Sequence, residues 1–176
     1  MNSQVFIMKF DFRYAYADIT ESLNGADSLD LSADNPEMFR NFKFGWLTTE
    51  STQIPTCAII ISELFCIDKD KCVGIPFDFS LAPITIGRTP YMVLTNVEYL
   101  DNCLNIEKSK IKRFSNGDIM EVTSPVLLPR EYPILFRITE MPSGFFCTNV
   151  FKEFIENNSI TGVIFEECPV KSKSWF

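Results

Sequence analysis

Aromatic side chains stand at every second position of the stretch "FDFRYAY": Phe10, Phe12, Tyr14 and Tyr16 alternate with Asp11 and Arg13, and Lys9 precedes them. A period of two belongs to a strand with one face covered, so the N-terminal part of the chain must enter a sheet, here read as one strand from Met8 to Tyr16. Similar short runs recur. Ile54 to Ile61 reads as a second buried strand, "DKDK" at Asp68 to Lys71 as a polar turn leading to "GIPFDFS", and "APITIGRTP" as a Pro-bounded segment. "YMVLTNVEYL" from Tyr91, "IMEVTSPVLL" and "ILFRIT" are further strand candidates beside the turn signals "SNGD" and "PREYP".

Helical periodicity is confined to two places. "DNP" at Asp34 to Pro36 suits an N-cap followed by proline in the first turn of a short helix, "PEMFRNF". After the short strand "GFFC", Thr148 or Asn149 can cap a helix whose Val150, Phe151, Phe154 and Ile155 share one face, while Lys152, Glu153 and Glu156 face water. Asn157 and Asn158 supply the helix stop, and "TGVIFEEC" at Thr161 to Cys168 is the returning strand. The reading is a single α+β domain over residues 1–176, with a mostly antiparallel sheet, a few short helices and a C-terminal strand, helix and strand. The tail "KSKSWF", with Trp175 and Phe176, reads as solvated.

Charge is distributed unevenly. The window "DITESLNGADSLDLSADNPE" holds six of the 23 carboxylates (Asp18, Glu21, Asp27, Asp30, Asp34 and Glu37) and no base, so most of the formal net charge of −7 is local. The window reads as a loop with a helical end, either a solvated segment or a surface that enters a basic cleft and speeds encounter. Asp27, Asp30 and Asp34 miss the alternate-residue spacing of a calcium loop.

The chain has no histidine, which removes Ser-His-Asp and Cys-His catalysis and His-ligated metals from its repertoire. Its six cysteines form no CxxC pair, and most lie in apolar runs such as "CAIII" and "FFC", so they read as buried thiols without a disulfide. Cys72, beside Lys71, is the exception with a cationic neighbour. Glu166 and Glu167 adjoin along a strand and so point to opposite faces, which argues against a catalytic pair. Neither a leader nor an apolar run long enough for a membrane span is visible, so the expected compartment is the cytoplasm. No cofactor and no metal is implied, and neither nucleic acid nor membrane is an expected partner.

The runs "VEYLDNCLNIEKS" at Val97 to Ser109, "ILFRIT" at Ile134 to Thr139 and "TNVFKEFIENNSITGVIF" from Thr148, with Gly162 and Phe165 in the closing strand, resemble a family of bacterial immunity proteins from polymorphic toxin systems, long catalogued as a domain of unknown function. Thr148 stands where that family usually has serine. The resemblance spans about Tyr91 to Cys168. It implies a protein that binds and silences one cognate toxin in the producing cell, without catalysis of its own, and leaves the contact residues unspecified. The expected partner is a protein toxin with a basic active-site cleft, met by Asp18, Glu21, Asp27, Asp30, Asp34 and Glu37. Two alternatives stay open: a carboxylate- or cysteine-dependent hydrolase that reverses a toxin's modification, and an adaptor or chaperone for a secreted effector.

Overall fold

The computed structural model describes residues 4–47, 53–75 and 79–173. Trp175 and Phe176, and the middle of "GIPFDFS", lie outside the described residues. The chain opens with β1 (Val5–Phe10) and continues through β2 (Tyr16–Ser22), the 3-10 helices η1 (Ser28–Asp30) and η2 (Pro36–Asn41), then β3 (Phe42–Leu47), β4 (Cys57–Ile60) and β5 (Leu64–Asp68). A third 3-10 turn, η3 (Lys69–Lys71), precedes β6 (Leu81–Ile86) and β7 (Thr89–Leu94). Next come β8 (Glu98–Leu100), β9 (Lys110–Arg113), β10 (Ile119–Ser124), β11 (Leu135–Ile138) and β12 (Met141–Thr148); the helix α1 (Asn149–Asn157) and β13 (Val163–Cys168) complete the described elements.

These elements overturn the α+β expectation. The protein is mostly β, with 46% of residues in strands and 13% helical, and α1 is the one α-helix among the described residues. The segment "PEMFRNF" explains the difference: Pro36 starts a 3-10 turn that ends when Phe42 donates its N–H to the Phe39 carbonyl. From there Phe42, Phe44 and Trp46 take up a strand's alternation and pair with β2. Sheet pairing supplies more partners than another helical turn would.

Contacts gather in two compact units, each built from discontinuous segments: residues 1–9, 98–153 and 165–176 in the first, residues 10–97 and 154–164 in the second. The first unit carries a five-stranded sheet in the order β13-β1-β12-β11-β8 and the two-stranded β10-β9. Within it, Phe136 stacks between Tyr132 and Phe146, with ring centroids 4.9 and 5.6 Å apart. Arg137, 3% exposed, lies between the rings of Tyr99 and Phe145 at 4.5 and 4.9 Å, a cation–π sandwich at a position where alternation alone would put a solvated side chain.

The second unit is a six-stranded sheet in the order β2-β3-β6-β7-β5-β4, whose end strands β2 and β4 approach each other so that the sheet nearly closes into a barrel. Ile60, Leu64, Cys66, Ile86, Tyr91 and Val93 fill its interior with almost no exposure. Tyr91 gives its hydroxyl to the Pro55 carbonyl. The aromatic alternation at the N-terminus serves two elements, not one strand. Asp11 accepts from the Arg13 backbone N–H and takes the Arg13 guanidinium at 2.9 and 2.6 Å, and Tyr14 N–H bonds back to the Asp11 carbonyl at 3.0 Å, so the chain turns between β1 and β2. That guanidinium holds the buried Asp11 carboxyl below its ordinary range.

The C-terminal strand, helix and strand is present, with two corrections. Val150 is exposed, leaving Phe151, Phe154 and Ile155 as the buried stripe of α1. Thr148 does not cap the helix: its buried hydroxyl has no hydrogen-bond partner among the described residues, and the Asn149 N–H is met by the Gln4 carbonyl at 3.2 Å. Ser159, with φ +51, takes the left-handed conformation expected of the asparagines, while Asn158 turns its amide to the Phe154 carbonyl at 2.8 Å. No helix among the described residues is long and apolar enough to cross a membrane.

Candidate functional site

The acidic window and the strand that follows it form one side of a cleft in the second unit. Asp18 and Glu21 sit on β2 rather than in a loop, because this end strand of the sheet buries little beyond Ala17 and tolerates charge on its outer positions. Asp18 accepts from the Ile19 N–H at 2.7 Å, and Glu21 pairs with Lys43 of β3 at 2.5 Å. After the turn at Asn24 and Gly25, both with positive φ, Asp27 caps η1. Asp27 accepts from the Leu29 N–H, and Asp30 accepts in turn from the Asp27 N–H, a closed capping box that stiffens a three-residue turn. Leu29, between them, is 89% exposed. Asp34 lies exposed at the next bend, and Glu37 in η2 pairs with Arg40 at 2.7 Å.

The six carboxylates therefore fall into two kinds. Glu21 and Glu37 are each neutralised by a neighbouring cation. The carboxylates of Asp18, Asp27 and Asp30 meet backbone N–H groups, with the Ser28 hydroxyl also on Asp27, and these three and the exposed Asp34 have no ion pair among the described residues.

Beside this segment lies an open cleft of about 720 Å³, whose lining includes Thr20, Glu37, Phe39, Arg40, Phe42, Lys43, Pro83, Ile84 and Thr85. The local sequence marks it only faintly, because its two walls are strands about forty residues apart. β3 and β6 run parallel but share a single pair, Phe44 with Ile86. A bulge in β2 at Thr20 sends that hydroxyl to the Lys43 carbonyl at 3.1 Å. Gly45 makes room for it, since a Cβ there would come within 2.6 Å of the Thr20 methyl. The glycine and the Pro-bounded "APITIGRTP" are the traces the cleft leaves in the sequence.

Thiol and carboxylate chemistry is arranged differently. Cys57, Cys66, Cys103, Cys147 and Cys168 are buried free thiols, and burial pushes all of them up, Cys147 and Cys168 to about 12. Cys72 is half-buried and pushed up to about 11 by burial and then by the Asp68 carboxylate; Lys71 turns its ammonium to the Asn158 carbonyl at 3.1 Å instead of activating the thiol. Glu166 and Glu167 are both exposed on β13, and Glu166 pairs with Lys9. Among the described residues no three Cys, Asp or Glu gather into a metal-binding group.

The thiols provide a direct check. Unfolded, non-reduced protein should titrate six free thiols, and native protein should react slowly at neutral pH, Cys72 first as pH rises toward 11. Rapid native labelling of any one cysteine at pH 7 would contradict a set of thiols held protonated by burial.

No protein-family model matches the chain, and comparison with curated proteins finds no significant match either.

Proposed function

We propose that the protein is a stoichiometric inhibitor that binds and neutralises one antibacterial toxin in the cytoplasm of the producing cell, with the acidic segment as its contact surface. The observation that supports this most is the state of η1: an almost fully exposed leucine held in a capped turn between Asp27 and Asp30. Single solvent-facing leucines are ordinary, but a pre-ordered apolar anchor ringed by charge suits an interface, where its ordering entropy is already lost before binding and the surrounding carboxylates orient a basic partner. The resemblance over residues 91–168 supports the same role, and those residues belong mainly to the first unit, while the acidic segment belongs to the second.

The experiment is a titration against the cognate toxin, to be sought among the products of the neighbouring genes. Inhibition should rise linearly and complete at one equivalent. Leu29→Ala should leave thermal stability within about 0.5 kcal/mol, since the side chain packs against little, and weaken binding by roughly tenfold or more. Progressive loss of toxin activity with catalytic amounts of protein would instead favour a modification-reversing enzyme.

A further inference from the structure

We infer that Asn24 is a site of spontaneous modification, where the side-chain amide is converted to a carboxylate by attack of the adjoining backbone nitrogen, and that the other Asn-Gly pair of the chain, Asn116 with Gly117, is held back from the same reaction. In this chemistry the glycine nitrogen loses its proton and bonds to the asparagine side-chain carbonyl carbon, closing a succinimide ring and expelling ammonia. Water then opens the ring at either carbonyl, leaving aspartate, or an isoaspartate whose main chain runs through the former side chain. The reaction needs an asparagine amide that is not held, a glycine N–H without a hydrogen-bond partner, and room for the ring.

Both pairs lie in exposed turns, so neither the dipeptide nor its exposure separates them. Hydrogen bonding does. The turn at Asn24 is closed outside the pair, by the Ala26 N–H on the Leu23 carbonyl at 3.1 Å, and among the described residues neither the Asn24 amide nor the Gly25 N–H has a hydrogen-bond partner. A Cβ added at Gly25 would meet nothing within 4 Å, so a ring has space there. Around Asn116 every reacting group is engaged: its amide donates to the Asp118 carboxylate at 2.7 Å, its side-chain oxygen accepts from the Asp118 N–H at 3.1 Å, and the Gly117 N–H donates to the Phe114 carbonyl at 3.0 Å. Those bonds must open before nitrogen and carbon can meet. Asn158, followed by Ser159, is held in the same way, with its amide on the Phe154 carbonyl at 2.8 Å and the Ser159 N–H on the Glu156 carbonyl at 3.1 Å.

The product alters the acidic segment. Asn24 stands between Glu21 and Asp27, so conversion adds a carboxylate to a window that already holds six and has no base. Aspartate tolerates the left-handed backbone that Asn24 adopts, with φ +56, and keeps the turn between β2 and η1. Isoaspartate lengthens the main chain by a methylene at that turn and changes the path into η1. This chemistry is independent of what the segment binds, and goes beyond the inhibitor role proposed above.

Peptide mapping by mass spectrometry tests this on the full folded chain, kept in mildly alkaline buffer and sampled over days. Asn24 should convert about tenfold faster than Asn116, because hydrogen bonds on both the amide and the nucleophile must open at the latter. In concentrated urea both pairs lose their surroundings, and with glycine following each asparagine the rates should agree within about twofold. Asp118→Ala, which removes the acceptor of the Asn116 amide and leaves the Gly117 bond in place, should speed conversion at Asn116 about threefold and leave Asn24 unchanged. Fragmentation that cuts at the extra methylene should find isoaspartate at position 24, the mark of the succinimide route. Equal rates at the two sites in the folded chain, a faster Asn116, or aspartate without isoaspartate would overturn the inference. An Asn116 rate unmoved in Asp118→Ala would overturn it too, and the comparison of the two sites in the unsubstituted chain decides the matter if that variant does not fold.

Discussion

Gly162→Ala is expected to destabilise the protein by about 2–6 kcal/mol, the sum of a backbone strain and a close-contact penalty that are each roughly 1–3 kcal/mol. Gly162 has φ +113, outside the conformations open to an L residue, and a Cβ there would stand 2.2 Å from the Cys57 carbonyl oxygen and 2.6 Å from the Pro55 Cβ. Neither neighbour can retreat. The Cys57 N–H is bonded to the Thr161 carbonyl at 2.9 Å, the Thr161 N–H to the Thr56 hydroxyl at 2.8 Å, and the Asp11 N–H to the Gly162 carbonyl itself at 3.0 Å, so the second unit is laced together at this point. Gly74→Ala is the control, because Gly74 also has positive φ but nothing within 4 Å of an added Cβ, and should cost only about 1–2 kcal/mol. Urea unfolding of both variants measures the difference. Equal losses would mean that the close approach at Gly162 can be relieved.

Replacing Asp18, Asp27, Asp30 and Asp34 together by asparagine should slow association with the toxin about tenfold or more at low ionic strength and flatten its salt dependence. Long-range attraction follows net charge. Deleting whole ion pairs, Glu21 with Lys43 or Glu37 with Arg40, leaves the net charge unchanged and should leave the association rate within about twofold, because an exposed pair contributes little beyond a local dipole. Asparagine keeps the cap of η1 nearly intact, so stability should stay within about 0.5 kcal/mol. Stopped-flow association across a salt series distinguishes the two sets. Identical rates and slopes in the fourfold variant would make the acidic segment a solubilising surface and move the interface elsewhere.

Local signals are legible where one residue's chemistry decides the backbone. "SNGD" closes the β9–β10 hairpin, with Gly117 at φ +92, and "DKDK" becomes η3 with Asp68 accepting from the Asp70 N–H at 2.9 Å. They mislead where a partner strand decides. Phe12 continues the aromatic alternation yet is 82% exposed, since the Asp11–Arg13 contact ends β1 before the pattern does. Ile54 reads as buried strand but is exposed, and β4 begins only at Cys57. β3 follows a proline-led turn that has helix signals, and its strand character comes from pairing with β2.

The sequence by itself determined the local surplus of carboxylates, the absence of imidazole chemistry, the protonated state of thiols set in apolar runs, and the strand, helix and strand at the C-terminus, all properties carried by residue types or by residues within a few positions of one another. Only the tertiary structure decided that the acidic residues divide into paired and unpaired sets, that Leu29 stands out of a capped turn, and that β3 and β6 wall a cleft. Those depend on which strands become neighbours across tens of residues, and neighbour choice is settled by the burial of the whole sheet, where a period of two is the same for every strand and names no partner.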